Sequence, residues 1–222
     1  GQMDVLLVAA ERDQIDDYAQ LARSAKLRPI VCDIDAFTVQ NLFEFSRGLN
    51  PDQTVALINV GASLASLNIV TGGVSAFTRE IANGGNSVTE EIQRSLGVSF
   101  EQAEAYKCGD GQDGLVPREV VDVIEGSCDA IAAEIQRSLD FFMATSGDTD
   151  IARIFVTGGT AYLSALARSI ENRSRVPVET WHPTEKINVE PKDVDRSLLE
   201  RRALQLSVAL GLALRKDREV RA

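Results

Sequence analysis

Thr54-Val55-Ala56-Leu57-Ile58-Asn59-Val60-Gly61-Ala62-Ser63-Leu64-Ala65-Ser66-Leu67-Asn68-Ile69-Val70-Thr71-Gly72-Gly73-Val74-Ser75-Ala76-Phe77-Thr78-Arg79 contains three short apolar runs separated by Gly61-Ala62-Ser63 and Thr71-Gly72-Gly73. β-Branched side chains suit a pleated, half-buried surface, and glycine supplies the backbone freedom of tight turns. The spacing predicts strands over residues 54–60, 64–70 and 74–79, paired as an antiparallel meander. A meander buries its apolar faces only when helices or a second sheet cover it, so the flanks decide the fold class.

Downstream, Ser87 with Glu90 and Ser99 with Gln102 have the spacing of capping boxes and predict two consecutive helices. A glycine-rich loop over residues 109–114 leads to Pro117 and to a stripe through Val120, Val121, Ile124, Cys128, Ile131, Ile135 and Phe142, which predicts the longest helix. Residues 151–156 read as a strand that ends at Thr157-Gly158-Gly159 and feeds a helix through Leu163, Leu166, Ala167 and Ile170. A short strand over residues 177–180 and a polar loop precede a last helix with a stripe of Leu198, Leu199, Leu206, Leu210 and Leu214.

Upstream, Asp35 opens a helix through Phe37, Leu42 and Phe43 that stops at Gly48, and residues 48–53 form a polar linker around Pro51. Residues 30–34 read as a strand. Asp13 caps a helix whose positions Ile15, Tyr18, Ala19, Ala22 and Ala25 share one face and are expected to be buried. Residues 4–10 already read as a buried strand with almost nothing before them, the pattern of a fragment that begins inside a domain.

The chain has 222 residues, enough for one large domain or two small ones. Its formal net charge of −10 repels phosphate backbones and anionic head groups, which argues against nucleic-acid or direct bilayer binding. A basic cluster at Arg201, Arg202, Arg215, Lys216, Arg218 and Arg221 reads as a solvated face and tail. Cys32, Cys108 and Cys128 are widely spaced and the single histidine, His182, lies in a turn-like Trp-His-Pro stretch, so neither a zinc site nor a disulfide framework is expected. Each cysteine reads as a small hydrophobe in a reducing compartment. No apolar run approaches the roughly 20 residues that span a bilayer, and no secretory signal is visible.

A glycine turn that runs into a helix N-terminus presents free N–H groups to a phosphate or nucleoside, although any one such turn is weak evidence. Here several occur in order. Asn59-Val60-Gly61 with Ala62 and Ser63 lies between two strands, and Gly84-Gly85 precedes a helix. Glu104 and Lys107 follow, three apart on one helix face, and then Thr157-Gly158-Gly159-Thr160-Ala161-Tyr162. The order resembles the actin-like ATPase superfamily, in which a hairpin holds phosphates, a charged helix touches the ribose and a glycine turn holds the adenosine. The resemblance implies an α/β, actin-like (ribonuclease H-like) fold, with a mixed sheet of antiparallel hairpins flanked by helices. It also implies a nucleotide site at Asn59, Gly61, Ala62, Ser63, Gly84, Gly85, Glu104, Lys107, Gly158, Gly159, Thr160 and Tyr162.

A narrower resemblance is to the PilM family of type IV pilus proteins, related to the division protein FtsA. It rests on Met3-Asp4-Val5-Leu6-Leu7-Val8-Ala9-Ala10, Asp33-Ile34-Asp35-Ala36-Phe37 and Ala82-Asn83-Gly84-Gly85-Asn86. It implies that residues 1–34 are the remainder of the small PilM/FtsA-type subdomain, only partly present. Residues 35–53 and 196–222 become helices of the first actin-like lobe, and 54–195 the second lobe with the nucleotide-binding turns. Family members begin with an earlier hairpin carrying an Asp-x-Gly turn and a basic residue. No such segment exists here, so at most half of a phosphate clamp is expected.

The same resemblance implies a cytoplasmic scaffold, peripheral to the inner membrane, that binds ATP or ADP with Mg2+ and recruits the cytoplasmic N-terminal tail of PilN. Other platform proteins and motor ATPases are implied partners, and a homo-oligomer or ring stays open. Actin-like ATPases generally have an aspartate where Asn59 stands, and an amide offers a hard cation only a neutral oxygen, so weak or absent hydrolysis is expected. Gln40 falls roughly where actin has a water-orienting glutamine, with a solvent-facing helix residue as the alternative. No dedicated protein metal site is expected. The competing readings are a sugar or acyl phosphotransferase of the same superfamily and an FtsA-like filament former. The first needs a general base, and no His-rich or Asp-rich constellation surrounds residues 59–63.

Overall fold

The computed structural model describes residues 7–109, 116–147, 149–188 and 195–215 of the chain. It divides into two compact units, residues 1–34 with 215–222 and residues 35–214.

The larger unit is built on a five-stranded sheet of order β3-β2-β1-β4-β5. The strands are β1 (Thr54–Val60), β2 (Ala65–Thr71), β3 (Val74–Ile81), β4 (Ile151–Thr157) and β5 (Val178–Thr180). β1, β2 and β3 form the expected antiparallel meander, while β4 lies parallel to β1 and β5 parallel to β4. The mixed sheet flanked by helices is the α/β architecture that the glycine punctuation predicts. Because β1 and β4 run in the same direction, their C-terminal turns, at Gly61 and Gly158, open at the same end of the sheet.

Both faces are covered. On one face α3 (Gly85–Leu96), α5 (Arg118–Thr145) and α6 (Ser164–Ser174) bury Ile58, Leu67, Ile92, Ile131, Ile135, Leu139 and Leu166 in the main core. On the other, Val39, Leu42 and Phe43 of α2 (Asp35–Arg47) pack with Leu57, Val70, Phe155 and Trp181. Burial on both sides explains why β1 reads as a continuous apolar run rather than an alternating one. Arg47 ends α2 by pairing with Glu179 at 2.5 Å and Glu185 at 2.6 Å, which fastens β5 and the following turn to the helix.

Some expected elements change. Gly84, not Ser87, caps α3, and the Ser87 hydroxyl donates to Asn83 Oδ1 at 2.7 Å. The first amides of α3 are already engaged, Gly85 N by Gly61 O and Asn86 N by Ala62 O, so no side-chain cap is required. Ser99 and Gln102 do form a capping box at the start of α4 (Phe100–Cys108). α5 is 28 residues long, with Val121 of its expected stripe exposed. Of the glycine loop over 109–114, only Gly109 lies within the described residues.

The expected last helix is broken into α7 (Arg196–Arg202), a tight 3-10 turn (Ala203–Leu206) and α8 (Ser207–Ala213). The break follows from Leu204, whose N–H donates to Tyr162 Oη at 3.1 Å and whose carbonyl accepts from Gly158 N at 3.0 Å. A peptide bonded sideways at both ends cannot also serve the helical ladder. Gly211 lets α8 reach α2, because a Cβ there would lie 2.1 Å from Thr38 O.

In the smaller unit α1 (Arg12–Ser24) forms, but none of its residues is buried. The expected stripe is half-buried at Ile15, Ala19 and Ala22 and exposed at Tyr18 and Ala25. Residues 7–10 are exposed and outside any strand, residues 30–34 are likewise irregular, and residues 4–6 lie outside the described residues. No partner strand flanks either stretch among the described residues, and a lone strand leaves its peptide groups unsatisfied. Arg215 donates to Asp33 Oδ2 at 2.6 Å within this unit. Cys128 is buried, and burial pushes its thiol up to about 11, whereas Cys32 and Cys108 are exposed rather than packed as hydrophobes.

Candidate functional site

The hairpin turn after β1 and the glycine turn after β4 are joined directly. Thr160 Oγ1 donates to Gly61 O at 2.8 Å, and Gly158, at φ +93°, brings its Cα so close to Val60 that a Cβ would sit 2.4 Å from the Val60 carbonyl. Gly84 makes the third approach: a Cβ there would lie 2.6 Å from both the Gly61 and Ala62 carbonyls. Gly85 faces Thr160, whose hydroxyl would be 2.7 Å from an added Cβ. Gly158 and Gly84 are thus required by backbone contact, where a larger residue would force the turns apart, while Gly85 makes room for the Thr160 hydroxyl.

The donors that remain differ from the expectation. The Gly61 amide donates to Leu64 O, the Gly158 amide to Leu204 O, and the N-terminal amides of α3 to the hairpin carbonyls. Gly84 and Gly85 therefore serve packing, and α3 presents no open N-terminus to a ligand. Among the hydrogen bonds of the described residues, none is donated by the amides of Ala62, Ser63 or Gly159. Ser63 Oγ accepts from Asn86 Nδ2 at 3.2 Å, and Gln205 lies over Gly159, with Cγ 3.4 Å from where a Cβ would be.

Beside these turns, Glu104 and Lys107 form the expected pair on one face of α4, 2.6 Å apart. Lys107 Nζ also donates to Gly85 O at 3.1 Å and to Thr89 Oγ1 at 2.8 Å. An ammonium has three N–H groups, so these contacts saturate it, and with 12% of its side chain exposed it works as a tether between α4 and α3. Burial pushes the Glu104 carboxyl up. Hydrogen bonds from Lys107 and Thr89, with the charge of Lys107, outweigh this and hold it below its ordinary value. Glu104 is therefore ionised near neutrality, and its Oε1 accepts from Cys108 Sγ at 3.8 Å.

Asn59, the penultimate residue of β1, accepts at Oδ1 from Ser207 Oγ at 3.1 Å. With that oxygen engaged by a neutral hydroxyl and no group of three or more His, Cys, Asp or Glu side chains able to hold an ion among the described residues, this chain's residues do not fit the expected Mg2+. Gln40 does not join the site. Its amide donates to Gly73 O at 3.2 Å and accepts from Asn68 at 2.8 Å, at the far turn of the meander. That makes it a brace between α2 and β2/β3.

Leu204, Gln205, Ser207 and Thr89 were not legible as site residues. The leucine stripe of the last helix drew attention to other positions, and no spacing signal marks a polar residue that acts by meeting a distant turn. A separate concavity of about 550 Å3, lined by Phe43, Arg47, Leu49, Val55, Arg153 and Phe155, lies at the opposite end of β1 and β4 from the glycine turns. It has no part in the clustering just described.

A five-stranded mixed sheet whose two parallel strands end in touching glycine turns defines an actin-like α/β protein. Within that class the chain belongs to the family of the type IV pilus assembly protein PilM, which it matches over residues 1–217. A chain solved in a PilM-PilN type IV pilus biogenesis complex is similar at 27% identity and a TM-score of 0.80, over 92% of this chain and 58% of that one. The fold is shared with ethanolamine utilization protein EutJ from Carboxydothermus hydrogenoformans (16% identity, TM-score 0.66, 93% of this chain and 62% of that one). It is also shared with MreB5 of Spiroplasma citri bound to ADP (14% identity, TM-score 0.65, 96% and 67%). The chain thus spans about three fifths of the length of the first two. Among the described residues no helix is long and apolar enough to cross a membrane.

Proposed function

We propose that this chain is the nucleotide-holding half of a pilus-assembly scaffold that binds ATP or ADP and recruits the cytoplasmic N-terminal segment of a PilN-type membrane protein. The observation that carries the nucleotide reading is the contact of the two turns, Thr160 Oγ1 to Gly61 O at 2.8 Å, one turn having the free amides of Ala62 and Ser63 and the other that of Gly159. Concave clusters of unpaired N–H groups favour anionic oxygens. Glu104 Oε1 is the acceptor for ribose hydroxyls, and Lys107 holds that carboxylate in place without touching the ligand. Tyr162, 42% exposed, lies at the edge of the adenosine side.

In this reading the helices within residues 35–53 and 196–214 belong to the first lobe, and nucleotide acts by favouring one arrangement of lobes over another, so that partner affinity follows occupancy. Hydrolysis is slow or absent because Asn59 has no charge with which to activate water. The protein works in the cytoplasm, held at the inner membrane through PilN, with motor ATPases and further platform proteins as neighbours. The similarity to a chain from a PilM-PilN complex supports the partner. Isothermal titration of ATP and ADP into the full-length protein tests the reading: binding in the micromolar range is expected, and no heat with either nucleotide rejects it. Titration of a synthetic PilN N-terminal peptide, with and without nucleotide, tests the partner separately.

A further inference from the structure

We infer that Ser207 turns the Asn59 amide so that the end of β1 presents hydrogen-bond donors to phosphate, and that nucleotide is held there without a divalent cation. The inference rests on the nucleotide reading above and adds to it a choice of ligand: the free nucleoside phosphate rather than its magnesium complex.

Ser207 is 1% exposed, and a buried hydroxyl needs a partner. Its Oγ lies 3.1 Å from Asn59 Oδ1, to which it donates. That bond orients the amide: the oxygen is turned toward α8 and occupied, which leaves the NH2 group. Asn59 Nδ2 has no acceptor among the described residues, and Asn59 itself is only half-buried at the end of β1. Three residues further along the chain begin the hairpin amides of Ala62 and Ser63, which also have no acceptor among the described residues. Asn59 Nδ2 and the two hairpin amides are thus three donors left at the end of β1.

Such donors suit phosphate oxygens, whereas a hard cation takes oxygen ligands and is held best by those that bear negative charge. Glu104, the nearby carboxylate, is held away by its bonds to Lys107 and Thr89. Ser207 acts here as a positioning residue through Asn59. Leu204 bonds to the turn at Gly158 and Ser207 to the end of β1, which ties the start of α8 to both strands.

The test is a titration of a fluorescent adenine nucleotide into the full-length protein, once in EDTA and once in excess MgCl2. Affinities that agree within about twofold are expected, and a loss of about tenfold or more in EDTA overturns the inference while leaving nucleotide binding intact. Binding in neither buffer overturns the nucleotide reading and the inference with it. Asn59→Asp places a carboxylate against phosphate; it is expected to weaken binding in EDTA by about tenfold, with magnesium restoring most of the loss. MgCl2 alone should raise the melting temperature of Asn59→Asp and leave that of the parent unchanged. Ser207→Ala, which frees the amide to turn its oxygen outward, should give a smaller loss of the same sign in EDTA. Equal affinity of that variant and the parent would remove Ser207 from the account.

Discussion

Helices α1 and α2 are each 13 residues long, and each has apolar side chains at helical spacing. α2 buries Ala36, Val39, Leu42 and Phe43, and even Thr38 and Ser46, whose hydroxyls bond back to Asp35 O and Phe43 O. α1 buries nothing: Tyr18 is 66% and Leu21 67% exposed. The periodic pattern of a helix states which face can be covered, and the neighbour that covers it has to come from elsewhere. For α2 that neighbour is the sheet together with α8, reached through a glycine.

The contrast can be broken at its strongest point first. Gly211→Ala puts a methyl group 2.1 Å from the Thr38 carbonyl, and backbone on both sides leaves nothing flexible to yield. A loss of about 4 kcal/mol, or failure to fold, is expected in urea denaturation. Leu42→Ala empties a 1% exposed position between α2 and the sheet, with an expected loss of about 2–4 kcal/mol by the same measurement.

Arg47→Met removes the bonds to Glu179 and Glu185 at the end of α2, with about 1–2 kcal/mol expected near neutral pH. This third effect has a pH signature. Hydrogen bonding to Arg47 holds the Glu185 carboxyl below its ordinary 4.5, against burial, which raises it. A lowered folded-state value gives stability that is present above the unfolded value and lost as pH falls through the lowered one. The difference between parent and variant should therefore be constant above about pH 4.5 and shrink below it.

Tyr18→Ser sharpens the comparison from the other side, since an exposed α1 side chain should change stability by less than about 0.5 kcal/mol. A loss well above 1 kcal/mol would mean that the α1 stripe is covered in solution and that the two helices are alike after all.

How far the site was legible follows the same division. Gly61, Gly84, Gly158 and the Glu104–Lys107 pair stood out because glycine in a turn and charges three apart on a helix are local features. Which amides those turns leave free was not legible. The Gly61, Gly85 and Gly158 N–H groups are all used by carbonyls distant in sequence or across the hairpin, and only the coordinates show it. Gln40 illustrates the converse. Its place on the helix after Asp35 recommended it, but a long side chain is claimed by whatever lies across from it, here Asn68 and Gly73.

Strand order inside the meander, the caps of α4 and the end of α2 were determined by the sequence alone, because each depends on residues a few positions apart. The parallel join of β1 to β4, the break at Leu204, the exposure of Tyr18 and Leu21 on α1 and the orientation of the Asn59 amide were decided by tertiary structure. The bonds behind them join residues from 42 to 148 positions apart. A hydrogen bond or a buried face is a property of two surfaces, and local sequence specifies only one of them.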